Sequence, residues 1–147
     1  MSSYSHILVA IDFSASSEQV LAKARKIAQQ NNARLSLLHV VEYLPPIDYI
    51  NDSLIDVTWV NEEKVMLDHA RDRMQQYGKK HKLLNVDLDV ELGIPKHEIS
   101  RYIKEHNCDL VVLGSHGRHG ISLLLGSTAN AVLHDMPCDV LTVKIQK

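Results

Sequence analysis

Three short runs in this chain are apolar from end to end, or nearly so. They are Ile7-Leu8-Val9-Ala10-Ile11, Leu35 to Val41 (interrupted only by Ser36 and His39) and Leu110 to Leu113. Runs of that length, without polar alternation, fit strands covered on both faces, as the interior strands of a parallel sheet must be. Parallel strands need crossovers, and helical patterns lie between the runs. Asp12 closes the first run, and Ser14 to Ser17 offers several N-caps, with Ser16 and Gln19 at capping-box spacing. Val20, Ala24 and Ile27, with Leu21 and Ala28, then recur at helical intervals up to Asn31-Asn32. A long amphipathic pattern from Trp59 to His81 carries Glu63, Leu67, Ala70, Met74 and Tyr77 on adjoining turns, and Gly78 reads as its fraying end.

A further run behaves differently. Val86-Asp87-Leu88-Asp89-Val90-Glu91-Leu92 alternates apolar and acidic residues without a fault, which predicts a strand with one face buried and one in water. Gly93-Ile94-Pro95 turns the chain into a helix that carries Ile99, Tyr102 and Ile103 inward and stops before Asn107. Ala129, Val132 and Leu133 form the inner stripe of a last helix, Pro137 blocks its continuation, and Cys138 to Ile145 reads as a fifth strand. The pattern is an α/β fold: an open, parallel, five-stranded sheet with helices on both faces, Rossmann-like. A half-exposed third strand belongs at an edge, which selects the order 3-2-1-4-5 over 2-1-3-4-5. The chain then reverses direction between strands one and four, and ligands of such sheets bind at the switch point beyond the strands' carboxyl ends. Asp12 ends strand one and Gly114 ends strand four.

The residues after Gly114 suit an anion. Gly114-Ser115-His116-Gly117-Arg118-His119-Gly120 is succeeded by Ile121 to Leu125 and then Gly126-Ser127-Thr128, where a small-residue helix begins. Glycines let backbone N–H groups approach a phosphate, and a helix N-terminus adds partial positive charge. Ser127 and Thr128 can cap and donate hydroxyls, and Arg118 can supply a full charge. A tight turn without any ligand fits the same spacing. No GxGxxG follows the first strand, there is no GxxxxGK followed by Ser or Thr, and the GxSxG elbow is absent.

The 147 residues, 45% of them hydrophobic, are enough for one domain (1–147) and not for two. A net charge of −2 with no basic block gives no footprint for nucleic acid or an anionic membrane. No apolar run approaches the ~18 residues of a membrane span. The start has neither the basic region nor the apolar core of a signal peptide, so a cytoplasmic location is expected. Cys108 and Cys138 form neither a zinc pattern nor a disulfide framework. Both precede neighbouring strands, as a redox pair or simply as two small buried residues. His116 and His119 lack the further ligands a metal needs. Residues 42 to 58, with Pro45-Pro46, read as a long connection. A lid or partner surface carrying Tyr43 or Tyr49, or a flexible excursion, would fit it.

Taken together, HILVAIDFS, LSLLHVV, GIPKHEI, DLVVLGSHGRHG and LLLGSTANAVLHDMPCDVLTVK resemble the universal stress protein family along essentially the whole chain. ATP-binding members usually carry G-x2-G-x9-G-(S/T), whereas eight residues, Arg118 to Leu125, separate Gly117 from Gly126 here. The resemblance implies a fold similar to the adenine nucleotide alpha hydrolases and a pocket for ATP or AMP, with or without Mg. Ala10, Ile11 and Asp12 would lie beside the adenosine, Val40 near the base, and Leu113 and Gly114 along the ribose. Gly117, Gly126, Ser127 and Thr128 would hold the phosphates, with His116 or Arg118 assisting. It also implies a homodimer through strand five, whose Leu141, Val143 and Ile145 line one face of an open edge. The expected role is a dimeric stress-response sensor or signalling module with no enzymatic activity. A weak ATPase or phosphotransferase, and a dimeric interaction module that binds no nucleotide, remain as alternatives. Asp12 alone is a thin case for catalysis.

Overall fold

The computed structural model describes residues 3–42, 57–115 and 136–146, with the side chains from residue 62 onward in the second stretch. The elements run β1 (His6–Ala10), α1 (Ala15–Asn31), β2 (Arg34–Val41), α2 (Val57–Lys80), β3 (Asp87–Leu92), α3 (Pro95–His106), β4 (Leu110–Gly114) and β5 (Asp139–Val143). All strand pairs are parallel, and the sheet order is β3-β2-β1-β4-β5, as the apolar runs predicted. β1 and β4 are buried at every position.

Two cores sandwich the sheet. Ile7, Val9, Ile11, Leu37, Leu110 and Val112 face α1 and α2, meeting Val20, Leu21, Ala24, Ala28, Ala70 and Met74. Leu8, Ala10, Leu38, Val40, Val111 and Leu113 face the other way and meet Ile99, Tyr102 and Ile103 of α3. The alternation within each strand therefore sorts consecutive residues into opposite layers. Both α1 and α3 end on asparagines in the left-handed conformation, Asn32 (φ 53°) and Asn107 (φ 54°), where the short amide side chain tolerates that turn.

Several local expectations are corrected. The N-cap of α1 is Ser14, whose side chain makes no cap bond, so the Ser16–Gln19 box does not form. Gln19 instead holds the chain's tail, donating to the Gln146 carbonyl (2.9 Å) and accepting from its amide (3.0 Å). Gly78 is not a fraying end, because α2 continues to Lys80. A Cβ at Gly78 would stand 2.5 Å from Leu88 Cδ1, so the glycine lets helix and strand approach. The acidic face of β3 is also not simply in water. Asp87 pairs with Arg34, Glu91 with Arg101, and Asp89 accepts a 2.5 Å hydrogen bond from the Tyr102 hydroxyl of α3.

The two polar residues that interrupt the apolar run of β2, Ser36 and His39, have assigned work. Ser36, fully buried, lies 2.7 Å from His6 Nε2 and 3.2 Å from Asp87 Oδ2, and its single proton serves one of them at a time. His39 binds the carbonyl just beyond the end of β1. The long connection with Tyr43 and Tyr49, the segment from His116 to Thr128 and the last helix lie outside the described residues. Among the described residues no helix is long and apolar enough to cross a membrane.

Candidate functional site

The ends of β1 and β4 stand side by side at the switch point. Val9 pairs with Val112, so Ala10 and Leu113 follow as neighbours, and Asp12 and Gly114 lie just beyond. β2 completes the wall on the other side of β1, with Ala10 opposite Leu38. Ala10, Val40 and Leu113 all face the α3 layer and form one apolar surface. Gly114 ends β4, and the chain there is tied to β5: the Ser115 amide donates to the Val143 carbonyl (2.9 Å), and Ser115 Oγ accepts from the Ile145 amide (3.0 Å). The glycine segment thus departs from a fixed point.

Asp12 sits in a dense set of donors. Its Oδ1 accepts from the Ser14 amide (3.0 Å), the Ser14 hydroxyl (2.5 Å) and the Ser17 hydroxyl (2.8 Å). Ser17, buried, also accepts from the Asp12 amide at 3.1 Å. Ser14 and Ser17, two of the serines that looked like helix caps, are therefore turned toward the carboxylate. The spacing Asp-x-Ser-x-x-Ser was the sequence signal for this arrangement. Ile11 differs from its neighbours: its side chain is buried toward α1 and α2, its amide donates to the Leu38 carbonyl (3.0 Å), and its carbonyl accepts from His39 Nδ1 (2.8 Å). Ile11 supports the site from behind.

Phe13 adopts φ 65°, a left-handed conformation uncommon for an aromatic residue. Its ring centroid lies 4.5 Å from that of His39 and 5.7 Å from that of Tyr77, and the Arg73 guanidinium sits 4.6 Å from the ring centre. Burial, with the Glu18 and Asp12 carboxylates, pushes the Tyr77 hydroxyl up to about 12. Phe13 and His39 were not recognised from sequence, since neither belongs to a phosphate motif.

The structure brings together Ala10, Ile11, Asp12, Val40, Leu113 and Gly114. His116, Gly117, Arg118, Gly126, Ser127 and Thr128 lie outside the described residues. The cysteines lie at the opposite, amino-terminal pole of the sheet. Both line a cavity of about 470 Å³ with Tyr4, Asn31, Asp109 and Asp139. Burial pushes Cys108 up to about 12 and Cys138 up to about 11, so both free thiols stay protonated at neutral pH. Among the described residues, no group of three or more His, Cys, Asp or Glu is placed to hold a metal ion.

β5 covers Asp139–Val143, shorter than the run Cys138 to Ile145 suggested. Ile145, just beyond it, is buried in the α1–α2 core, and Leu141 and Val143 of the strand pack against that core. The apolar side chains of that strand therefore serve the sheet's own core. What β5 leaves open is its backbone edge, since among the described residues it pairs only with β4.

Residues 3–144 match the sequence profile of the universal stress protein family. Universal stress protein A homolog 1 of Coxiella burnetii is 39% identical over 95% of this chain and 96% of its own length. The solved universal stress protein UspA of Lactobacillus plantarum is 27% identical, covers 99% of this chain and 100% of its own, and superposes with a TM-score of 0.69. A universal stress protein crystallised in complex with cAMP is 26% identical, covers 97% of this chain and 98% of its own, and gives a TM-score of 0.58. With a profile match over nearly its full length and a relative this similar, the chain belongs to the universal stress protein family.

Proposed function

We propose that this protein binds an adenine nucleotide, ATP or AMP with or without Mg, and works as a stress-response sensor or signalling module without turnover. The observation that carries the reading is the meeting of Asp12 and Gly114 at the switch point, immediately before the glycine segment. Ala10, Val40 and Leu113 offer one apolar wall suited to a purine and its sugar, and Asp12 offers an acceptor for hydroxyl or amino hydrogens. Gly117, Gly126, Ser127 and Thr128 are the phosphate ligands in this reading, with His116 and Arg118 beside them. The complex of a related family member with cAMP supports an adenine ligand. In the same reading the whole chain is a single domain, is cytoplasmic and forms a homodimer along β5.

Thermal unfolding with Mg-ATP and with AMP is the test. Ligand at about 100 times its dissociation constant adds roughly 2.7 kcal/mol, a shift of about 5–10 °C for a chain of this size. A shift that is lost in Gly117→Val, with the variant still unfolding cooperatively, is the expected result. No shift with either nucleotide at millimolar concentration would leave the dimeric interaction module. Release of phosphate from bound ATP at a steady rate would make the protein an ATPase.

A further inference from the structure

The turn that carries Asp12 is not held by its own sequence alone. Phe13 lies in the left-handed region, where a residue with a bulky ring persists only if its surroundings over-determine it. Those surroundings come from two other elements. His39, near the end of β2, packs its ring 4.5 Å from that of Phe13, while α2 supplies Tyr77 edge-on at 5.7 Å and the Arg73 guanidinium at 4.6 Å. The same His39 donates from Nδ1 to the Ile11 carbonyl at 2.8 Å, which fixes that nitrogen as the protonated one because a carbonyl only accepts. Beyond the last registered pair of β1 and β2, Ala10 and Leu38, the Ile11 amide still donates to the Leu38 carbonyl, and the imidazole adds a side-chain bond to the carbonyl of that same Ile11. His39 and Val40 are consecutive and point to opposite layers. The end of β2 thus gives Val40 to the apolar wall and His39 to the underside of the Asp12 turn.

Resting on the nucleotide reading above, we infer that His39 and Phe13 are positioning residues for that pocket. The His39 hydrogen bond fixes where β1 ends, the Phe13 ring fixes the left-handed turn, and together they set the direction in which the Asp12 carboxylate and the first turn of α1 face the ligand. Neither touches the nucleotide.

Calorimetric titration with Mg-ATP and AMP, alongside thermal unfolding, tests this on His39→Leu and His39→Asn. Asparagine can place an N–H near the position of Nδ1, whereas leucine fills similar space without a donor. His39→Leu is expected to bind about tenfold more weakly, the scale of one hydrogen bond that aligns a site. His39→Asn should recover most of that loss while the two variants melt within a few degrees of each other. That recovery separates positioning from mere bulk. If His39→Leu does not unfold cooperatively, Phe13→Leu makes the comparison, since it removes the ring contacts and leaves the hydrogen bond intact; weaker binding supports the inference and unchanged binding overturns it. Equal affinities for wild type and His39→Leu, or equal losses in both histidine variants, overturn this inference while the nucleotide reading stands. No binding by the wild-type protein overturns both.

Discussion

At the residue scale, carboxylates organise both ends of the sheet. At the carboxyl end Asp12 gathers Ser14 and Ser17. At the amino end Asp109 accepts from the Ser5 amide (2.8 Å), the Ser5 hydroxyl (3.0 Å) and the His6 amide (3.0 Å), which anchors the entry to β1 against the entry to β4. Partial burial alone would raise the Asp109 pKa, but the Ser5 and His6 amides and the Ser5 hydroxyl outweigh it, and the net shift is downward. A carboxyl whose pKa is lower folded than unfolded binds fewer protons in the native state. Its stabilisation is therefore full above the unfolded value of about 3.9 and is lost as pH falls through the folded one. Asp109→Asn should flatten the acid side of the stability profile. Denaturant midpoints measured between pH 6 and pH 2 check this: the wild type should lose more stability on acidification than the variant. Parallel profiles would mean that the Asp109 carboxyl titrates alike in the folded and unfolded protein, and would overturn this account.

Elements meet here through single close contacts that local sequence patterns do not announce. Gly78 shows the problem. Within a helix it costs about 1 kcal/mol relative to alanine, so by propensity alone Gly78→Ala should stabilise α2. The contact with Leu88 Cδ1 opposes that gain, because the leucine must turn away from an added methyl. A double-mutant cycle separates the two effects. In the Leu88→Ala background, Gly78→Ala should gain about 1 kcal/mol in denaturant unfolding, and in the wild-type background it should gain clearly less or lose. Additive effects would show that the glycine is only a helix defect. The same distinction between local and distant partners decides what a sequence reveals. Strand order followed from which runs lacked polar alternation, a property each strand carries in its own residues. The roles of Gly78, Gln19 and Ser14 depend on partners far along the chain or on a neighbour's side-chain orientation. In the candidate site, Asp12 and Gly114 were legible because they end strands, and Phe13 and His39 were not, because their function appears only when β1, β2 and α2 are assembled.

At the scale of the whole molecule, the two edges of the sheet differ in how they are closed. β3 carries Asp87, Asp89 and Glu91, engaged by Arg34, Tyr102 and Arg101. Charge on an edge strand discourages pairing with another chain. β5 is only five residues long, and its outward groups can be assigned from its register. The Val143 carbonyl accepts from Ser115, and the Ile145 amide donates to the same residue, so odd-numbered residues direct their backbone groups toward β4. Within a strand the N–H and C=O of one residue point to the same side, and neighbours alternate. Val140, Thr142 and Lys144 therefore direct theirs to the open edge. In a two-fold dimer along β5, each outward amide is used twice, once by each protomer. Thr142→Pro removes one such donor per chain without breaking the β4–β5 ladder, and proline is tolerated on edge strands. Two lost hydrogen bonds of about 1 kcal/mol each would weaken association roughly thirtyfold. Sedimentation equilibrium over a dilution series should show the variant dissociating at correspondingly higher concentration, with far-ultraviolet circular dichroism unchanged. A wild-type protein that stays monomeric at high micromolar concentration removes the dimer, and a variant that associates as tightly as the wild type moves the interface away from this edge.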